Sequence, residues 1–353
     1  MKGALLPTPF HARTAAHNHA NAWEQYGRFS MPAHYGDPYQ EALAARISAV
    51  LIDISAEQDL RIGGDGAAAM LSAACGPAIR GLGIGRSDRV HWCADGGGLR
   101  GFGVLWRLGE EEFLLRASDA DIGWFASAAP HFGPSVRDVS AERGVLLVAG
   151  PYAVPLMVAA RLEAFPLEAG RPVQADWRGI SVALSRSAVC EGYEVSCAPD
   201  DALIVFDRLT RAGRMVGARL AGENARALLQ MESGLPLVHA DFAPAREPYA
   251  QGPLPAALGF HDPSGPAAAA HAPVLAALQY ESDEPLSFAG LFAAGSEVGQ
   301  AMRSLYSPAL KGAIALAQIQ AKHAAAGTVL TARATDSSGV REALAHVVPL
   351  PFL

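Results

Sequence analysis

Gly96-Gly97-Gly98-Leu99-Arg100-Gly101 matches G-x-G-x-x-G. That pattern binds a dinucleotide when a strand precedes it and a helix follows, because the helix N-terminus holds the pyrophosphate. Here Phe102 to Leu108 reads as a strand, so the glycines read as a hairpin turn. Gly81-Leu82-Gly83-Ile84-Gly85 is not followed by the Lys-Ser/Thr of a phosphate loop. Of the 11 histidines, none pairs at i, i+4 beside a helical glutamate, and His17 and His19 read as part of a surface tail. Cys75, Cys93, Cys190 and Cys197 form no C-x2-C pair, so free thiols are expected and no metal site. No G-x-S-x-G elbow supports a hydrolase triad.

The elements must therefore bring dispersed polar residues together. With 353 residues, 50% hydrophobic and 18% charged, the chain can bury a large core and should divide into two or three units. A net charge of −7 offers no basic face to nucleic acid or an anionic membrane. The start, MKGALLPTPFHARTAAH, has no apolar run of signal length. The longest uncharged run, between Arg143 and Arg161, is broken by Gly150, Pro151 and Pro155. A cytoplasmic protein without membrane spans is expected.

Residues 1–40 read as irregular, and Glu41 to Leu51 as a helix. Strands are expected at 60–62, 89–93, 102–108, 112–117, 145–148, 180–184 and 193–197. Helices are expected at 66–74, 119–128 with an acidic first turn, 152–165, 200–210 and 223–231. Residues 243–273, dense in Ala, Pro and Gly, read as a linker, and 286–353 as a small β-rich domain. The mixed order gives an α+β class.

Several segments, in chain order, resemble the aminomethyltransferase superfamily, which includes the glycine cleavage T-protein and tetrahydrofolate-dependent demethylases. They are Pro32-Ala33-His34-Tyr35, Leu51-Ile52-Asp53-Ile54-Ser55, Gly64-Asp65-Gly66-Ala67 and Val148-Ala149-Gly150-Pro151-Tyr152-Ala153. Further on come Ser185-Arg186-Ser187 with Glu191-Gly192-Tyr193-Glu194, then Ala225-Arg226 through Glu232-Ser233-Gly234-Leu235-Pro236. Ser307-Pro308-Ala309-Leu310-Lys311, Gly327-Thr328 and Pro351-Phe352 match the C-terminal signature.

The resemblance implies a T-protein-like cloverleaf of three domains, with a central folate channel and a C-terminal β-barrel. On this chain, 1–57 and 143–262 would form a discontinuous folate-binding domain, 58–142 an inserted domain and 263–353 the barrel. Tetrahydrofolate is the implied cofactor and a methylated small molecule the implied substrate. A protein partner is implied if the chain is a subunit.

Glu191 would accept two hydrogen bonds from a pterin edge, and Arg226 would hold folate carboxylates or the pterin carbonyl. Ser118 stands at the family's folate-side asparagine. Tyr193 and Tyr35 read as channel-lining or core, and His34, at the family's glutamine, as a proton-exchanging group. His34 and Tyr35 are thus the catalytic candidates. Asp53 and Glu232 read as structural, as does the turn Tyr306-Ser307-Pro308.

The chain departs from the family in places. The carboxylate that helps activate the folate nitrogen falls at Gly101, and the histidine after D-x-S at Ala56. Demethylation to tetrahydrofolate is therefore expected ahead of aminomethyl transfer from a lipoyl carrier. A folate-binding scaffold is the remaining alternative.

Overall fold

The structure, a computed structural model, describes residues 4–93, 98–118, 121–162, 167–187, 190–236, 250–251, 273–336 and 339–353. Residues 243–249 and 252–272 of the expected linker lie outside the described residues, as do 96 and 97 of the glycine-rich run. Contacts divide the chain into two compact units. The first comprises Met1–Ala68, Leu82–Asp88 and Gly103–Leu229; the second comprises Ala69–Gly81, Arg89–Phe102 and Gln230–Leu353.

An unbroken apolar run suits a strand covered on both faces. Gly144–Ala149 is such a strand, buried at every position. It lies between Gly192–Cys197 and Val50–Asp53 in the first unit's six-stranded sheet. The strand order is Val173–Asp176, Ser181–Arg186, Gly192–Cys197, Gly144–Ala149, Val50–Asp53 and Arg219–Leu220. All neighbours are antiparallel except the last pair.

Helices Ala153–Ala159 and Ala202–Met215 bury Leu156, Met157, Val205, Phe206 and Leu209 in one core with Leu146, Val148, Val182 and Val195 of the sheet. A second sheet places Gln58–Gly63 between Glu112–Ala117 and Ser135–Asp138, both antiparallel to it.

In the second unit six strands close into a barrel, in the order Pro273–Tyr280, Gly312–Gln320, Ser296–Ser307, Gly290–Ala293, Val329–Asp336 and Gly339–Val348. Small side chains fill its interior, among them Ala301, Ala313, Ala315, Ala317, Ala332 and Ala345. The β-rich region begins at Pro273 and not at residue 286, because the strand Pro273–Tyr280 pairs with both Gly312–Gln320 and Gly339–Val348 and so closes the barrel.

Other expectations need correcting. Residues 1–40 are not irregular: they hold the helix His11–His17 and a hairpin of Trp23–Tyr26 and Phe29–Pro32. The helix expected at 152–165 stops at Ala159, where Trp177 Nε1 donates to the Ala160 carbonyl (2.9 Å) and Arg161 turns to φ +59°. The helix expected at 119–128 is Ile122–Phe132 and has no acidic residue in its first turn.

Gly150 shows why a turn in the sequence pattern is fixed. It adopts φ +107°, and a Cβ there would lie 2.6 Å from the Ser48 carbonyl oxygen and 2.7 Å from that of Ala45. Gly150→Ala is expected to cost at least about 2 kcal/mol, from left-handed strain and overpacking together. Urea unfolding should show a lower midpoint at unchanged slope.

Candidate functional site

Asp59 and Arg116 are direct partners across the pair Gln58–Gly63 and Glu112–Ala117. Opposite side chains of an antiparallel pair share a face, so they can form an ion pair. Arg116 Nε donates to Asp59 Oδ1 at 3.0 Å, and Nη1 donates to Glu194 Oε2 at 2.6 Å. Glu194 belongs to Gly192–Cys197, so this guanidinium ties the first unit's two sheets together. Arg143 also pairs with Asp59. The side chains of Arg116, Asp59 and Glu194 are 4%, 3% and 6% exposed.

A second cluster in the same unit forms around Arg226, in the first turns of the helix Glu223–Glu232. Its Nε and Nη2 donate to Glu223 Oε2 and Oε1 at 2.7 and 2.6 Å, a two-bond fork one helical turn long. Nη1 reaches Glu57 Oε1 at 3.3 Å, and Nη2 reaches the Tyr26 hydroxyl at 3.1 Å. The guanidinium carbon stands 5.1 Å from the Tyr26 ring centroid. Ser118 hydrogen-bonds the Tyr26 hydroxyl.

Burial dominates the proton affinities. It pushes the Glu57 carboxyl up to about 7, against the pull of Arg226 and with the push of Glu194. It raises Glu194 above the usual carboxylate range, outweighing Arg116 and Arg143. It also raises the Tyr26 hydroxyl, which stays protonated. Burial alone would lower Arg226, but Glu223, Tyr26 and Glu57 outweigh it and the guanidinium stays charged.

A buried glutamate positions the segment before the second helix. Glu41 Oε1 accepts from the backbone N–H of Tyr35 (2.7 Å) and Gly36 (2.9 Å), and Oε2 accepts from that of Gly222 (2.9 Å). Asn224 N–H donates to the Ala33 carbonyl at 3.0 Å. The turn carrying His34 and Tyr35 is thereby fastened to the start of the helix that carries Glu223 and Arg226.

The expected residues fall at different places in this unit. Arg226 and Ser118 meet on Tyr26. His34 is half-buried, and its Nδ1 is buried with no hydrogen-bond partner among the described residues. The Tyr35 hydroxyl is raised by burial and by the nearby Asp53 and Glu41 carboxylates. Tyr193 is half-buried against the large core, and Glu191 is exposed.

Asp53 accepts from Thr8 Oγ1 (2.6 Å) and Ser55 N–H (2.9 Å), a structural role. In the second unit, Ser307 Oγ donates to Glu232 Oε1 at 2.6 Å, both buried, which ties the end of the helix to the barrel turn. A Cβ on Gly101 would lie 2.4 Å from Trp92 Cζ2, so the indole occupies the space of any side chain at that position.

Glu57, Asp59, Arg116, Arg143, Glu223 and Tyr26 were not among the sequence candidates. Glu223 and Arg226 stand at i, i+3 on a helix, a signal that could have found that pair. Nothing in the spacing of Asp59, Arg116 and Glu194 marks them, because strand register brings them together.

A family model described as the GCVT N-terminal domain matches residues 10–255, and one described as the glycine cleavage T-protein C-terminal barrel domain matches residues 274–353. The chain belongs to the glycine cleavage T-protein family. Within the family it is similar to an aminomethyltransferase of Streptomyces avermitilis, 29% identical over 350 residues that cover 93% of this chain and 92% of the relative. An aminomethyltransferase of Geobacillus kaustophilus is 27% identical over 352 residues, covering 93% of each chain.

The crystal structure of glycine cleavage system aminomethyltransferase T from Bartonella henselae superposes with a TM-score of 0.80 at 22% identity. It covers 99% of this chain and 98% of that one, so the fold is the T-protein fold, α+β with a C-terminal barrel. Among the described residues no helix is long and apolar enough to cross a membrane.

Arg116→Met would leave Asp59 and Glu194 buried with less compensation, at an expected cost of about 3–5 kcal/mol near pH 8. Glu194, already raised by burial and now without the pull of Arg116, binds a proton more tightly in the folded than in the unfolded chain, so the variant loses stability as pH rises. The gap to the parent should therefore narrow toward pH 5, as read from urea midpoints at both pH values.

Proposed function

We propose that the protein moves a methyl group from an O-, N- or S-methyl small molecule to tetrahydrofolate. Membership of the family and the named activity of the relatives support one-carbon transfer to folate. The observation that favours a methyl donor over a lipoyl-bound aminomethyl group is the packing at Gly101. The position that the resemblance assigns to a folate-activating carboxylate carries no side chain, and Trp92 fills the space one would need.

The residues of the first unit suit a pterin chemically. A pterin edge presents N–H donors beside a carbonyl acceptor. Among the described residues, Arg116 Nη2 is buried and makes no hydrogen bond, and Glu57 bonds through Oε1 alone. A donor and an acceptor are thus uncommitted. When bound, tetrahydrofolate supplies a nucleophilic nitrogen that accepts the one-carbon unit.

Around it, the chain's own residues would orient and neutralise. In this reading Glu191 and Arg226 face the folate, with Ser118 and Tyr193 beside them, and His34 and Tyr35 face the methyl donor. The paired charges are fixed before substrate arrives, so little reorganisation remains for the reaction itself.

Anaerobic calorimetric titration with tetrahydrofolate is expected to give micromolar binding. Glu191→Ala should weaken it tenfold or more, about 1.4 kcal/mol. Because Glu191 is exposed, the melting temperature should stay unchanged. A screen of methyl ethers, methylamines and methyl sulfides should then yield methyltetrahydrofolate without a lipoyl protein. Absence of tetrahydrofolate binding by the folded protein would overturn the reading. Turnover only with a lipoyl carrier would replace it by aminomethyl transfer.

A further inference from the structure

Among the described residues, the buried network sets the carboxyls of Glu57, Asp59, Glu194 and Glu223 against the guanidinium groups of Arg116, Arg143 and Arg226. There is one more carboxyl than there are cations. Geometry decides which one is in excess. Glu223 takes Arg226 through two bonds of 2.7 and 2.6 Å. Asp59 takes Arg143 and shares Arg116 with Glu194.

Among the described residues, the Glu57 side chain has only the 3.3 Å contact to Arg226 Nη1, a cation already matched by Glu223. Its Oε2 makes no hydrogen bond among the described residues, and the side chain keeps 10% of its surface exposed. The family resemblance assigned no role to this position.

We propose that Glu57 is the proton-exchanging carboxyl of the site, a function that rests on the one-carbon reading above. When a methyl group passes to a secondary amine, the carbon–heteroatom bond breaks with its electron pair on the heteroatom. The new carbon–nitrogen bond leaves the nitrogen with a proton to lose. Neutral Glu57 gives its proton to the departing heteroatom and then, as carboxylate, takes the proton from the nitrogen. It ends the cycle as it began, and no other reactant is consumed.

The groups that face it are Arg226 from the helix, itself held by Glu223, Asp59 from the strand that begins one residue later, Arg116 from the neighbouring strand, Glu194 from the other sheet and Tyr26 from the hairpin. Burial first, and then the balance of these charges, pushes its proton affinity up to about 7, where a group can both give and accept a proton in neutral solution.

Infrared difference spectra of the protein without ligand test the proton. A protonated-carboxyl band should titrate near neutral pH, be lost in Glu57→Gln and return in Glu57→Asp. Calorimetry with tetrahydrofolate at pH 7, in buffers of different ionisation enthalpy, tests its use. The parent should exchange a fraction of a proton on binding, Glu57→Gln none, and Glu57→Asp again a fraction.

Absence of a titrating band would overturn the proposal. So would a band present with proton exchange unchanged in Glu57→Gln, since that is the signature of a structural carboxyl. If the folded parent shows the band but binds no tetrahydrofolate, the one-carbon reading fails, and the role assigned to Glu57 falls with it for that separate reason.

Discussion

The first unit depends on a buried set of charges that no single element could hold. A lone carboxylate at the burial of Asp59 would neutralise itself or unfold the strand that carries it. Arg116 makes that burial tolerable and reaches Glu194 on the other sheet, so the same guanidinium satisfies one strand and registers two sheets. Ion pairs of this kind add little net stability over apolar packing, but removing one member is costly. The network therefore constrains relative position more than it stabilises.

This constraint explains the surrounding architecture. Glu41 fastens the turn at residues 34–36 to Gly222, ahead of the helix that presents Glu223 and Arg226. Tyr26 lies beneath the Arg226 guanidinium and receives Ser118. Each contact orders a polar group that would otherwise need reorganisation when a charged or polar substrate binds. Apolar cores elsewhere provide the stability: the sheet-and-helix core around Phe206 in the first unit and the alanine-lined barrel in the second.

Among the described residues the network is also unbalanced, and the proposed chemistry uses that imbalance. A set with equal numbers of carboxyls and guanidiniums would stay ionised and inert near neutral pH. One extra carboxyl, only weakly engaged by a cation already paired, remains able to exchange a proton. A position without a side chain, Gly101 against Trp92, need not therefore leave the protein without an acid.

The sequence by itself determined the elements with a local cause. The buried strand Gly144–Ala149 followed from an apolar run, the turn at Gly150 from a residue able to take φ +107°, and the family from short motifs spread along the chain. It also placed Arg226 and Ser118 among the candidates, which the fold brings together on Tyr26. Only the tertiary structure decided that Asp59 faces Arg116, that Arg116 reaches Glu194, and that Glu57 meets Arg226 at 3.3 Å. Those facts come from strand register and from contacts between residues as far apart as Glu57 and Arg226, 169 positions along the chain. Composition and spacing do not encode burial, and burial is what raises the proton affinity of Glu57 to about 7.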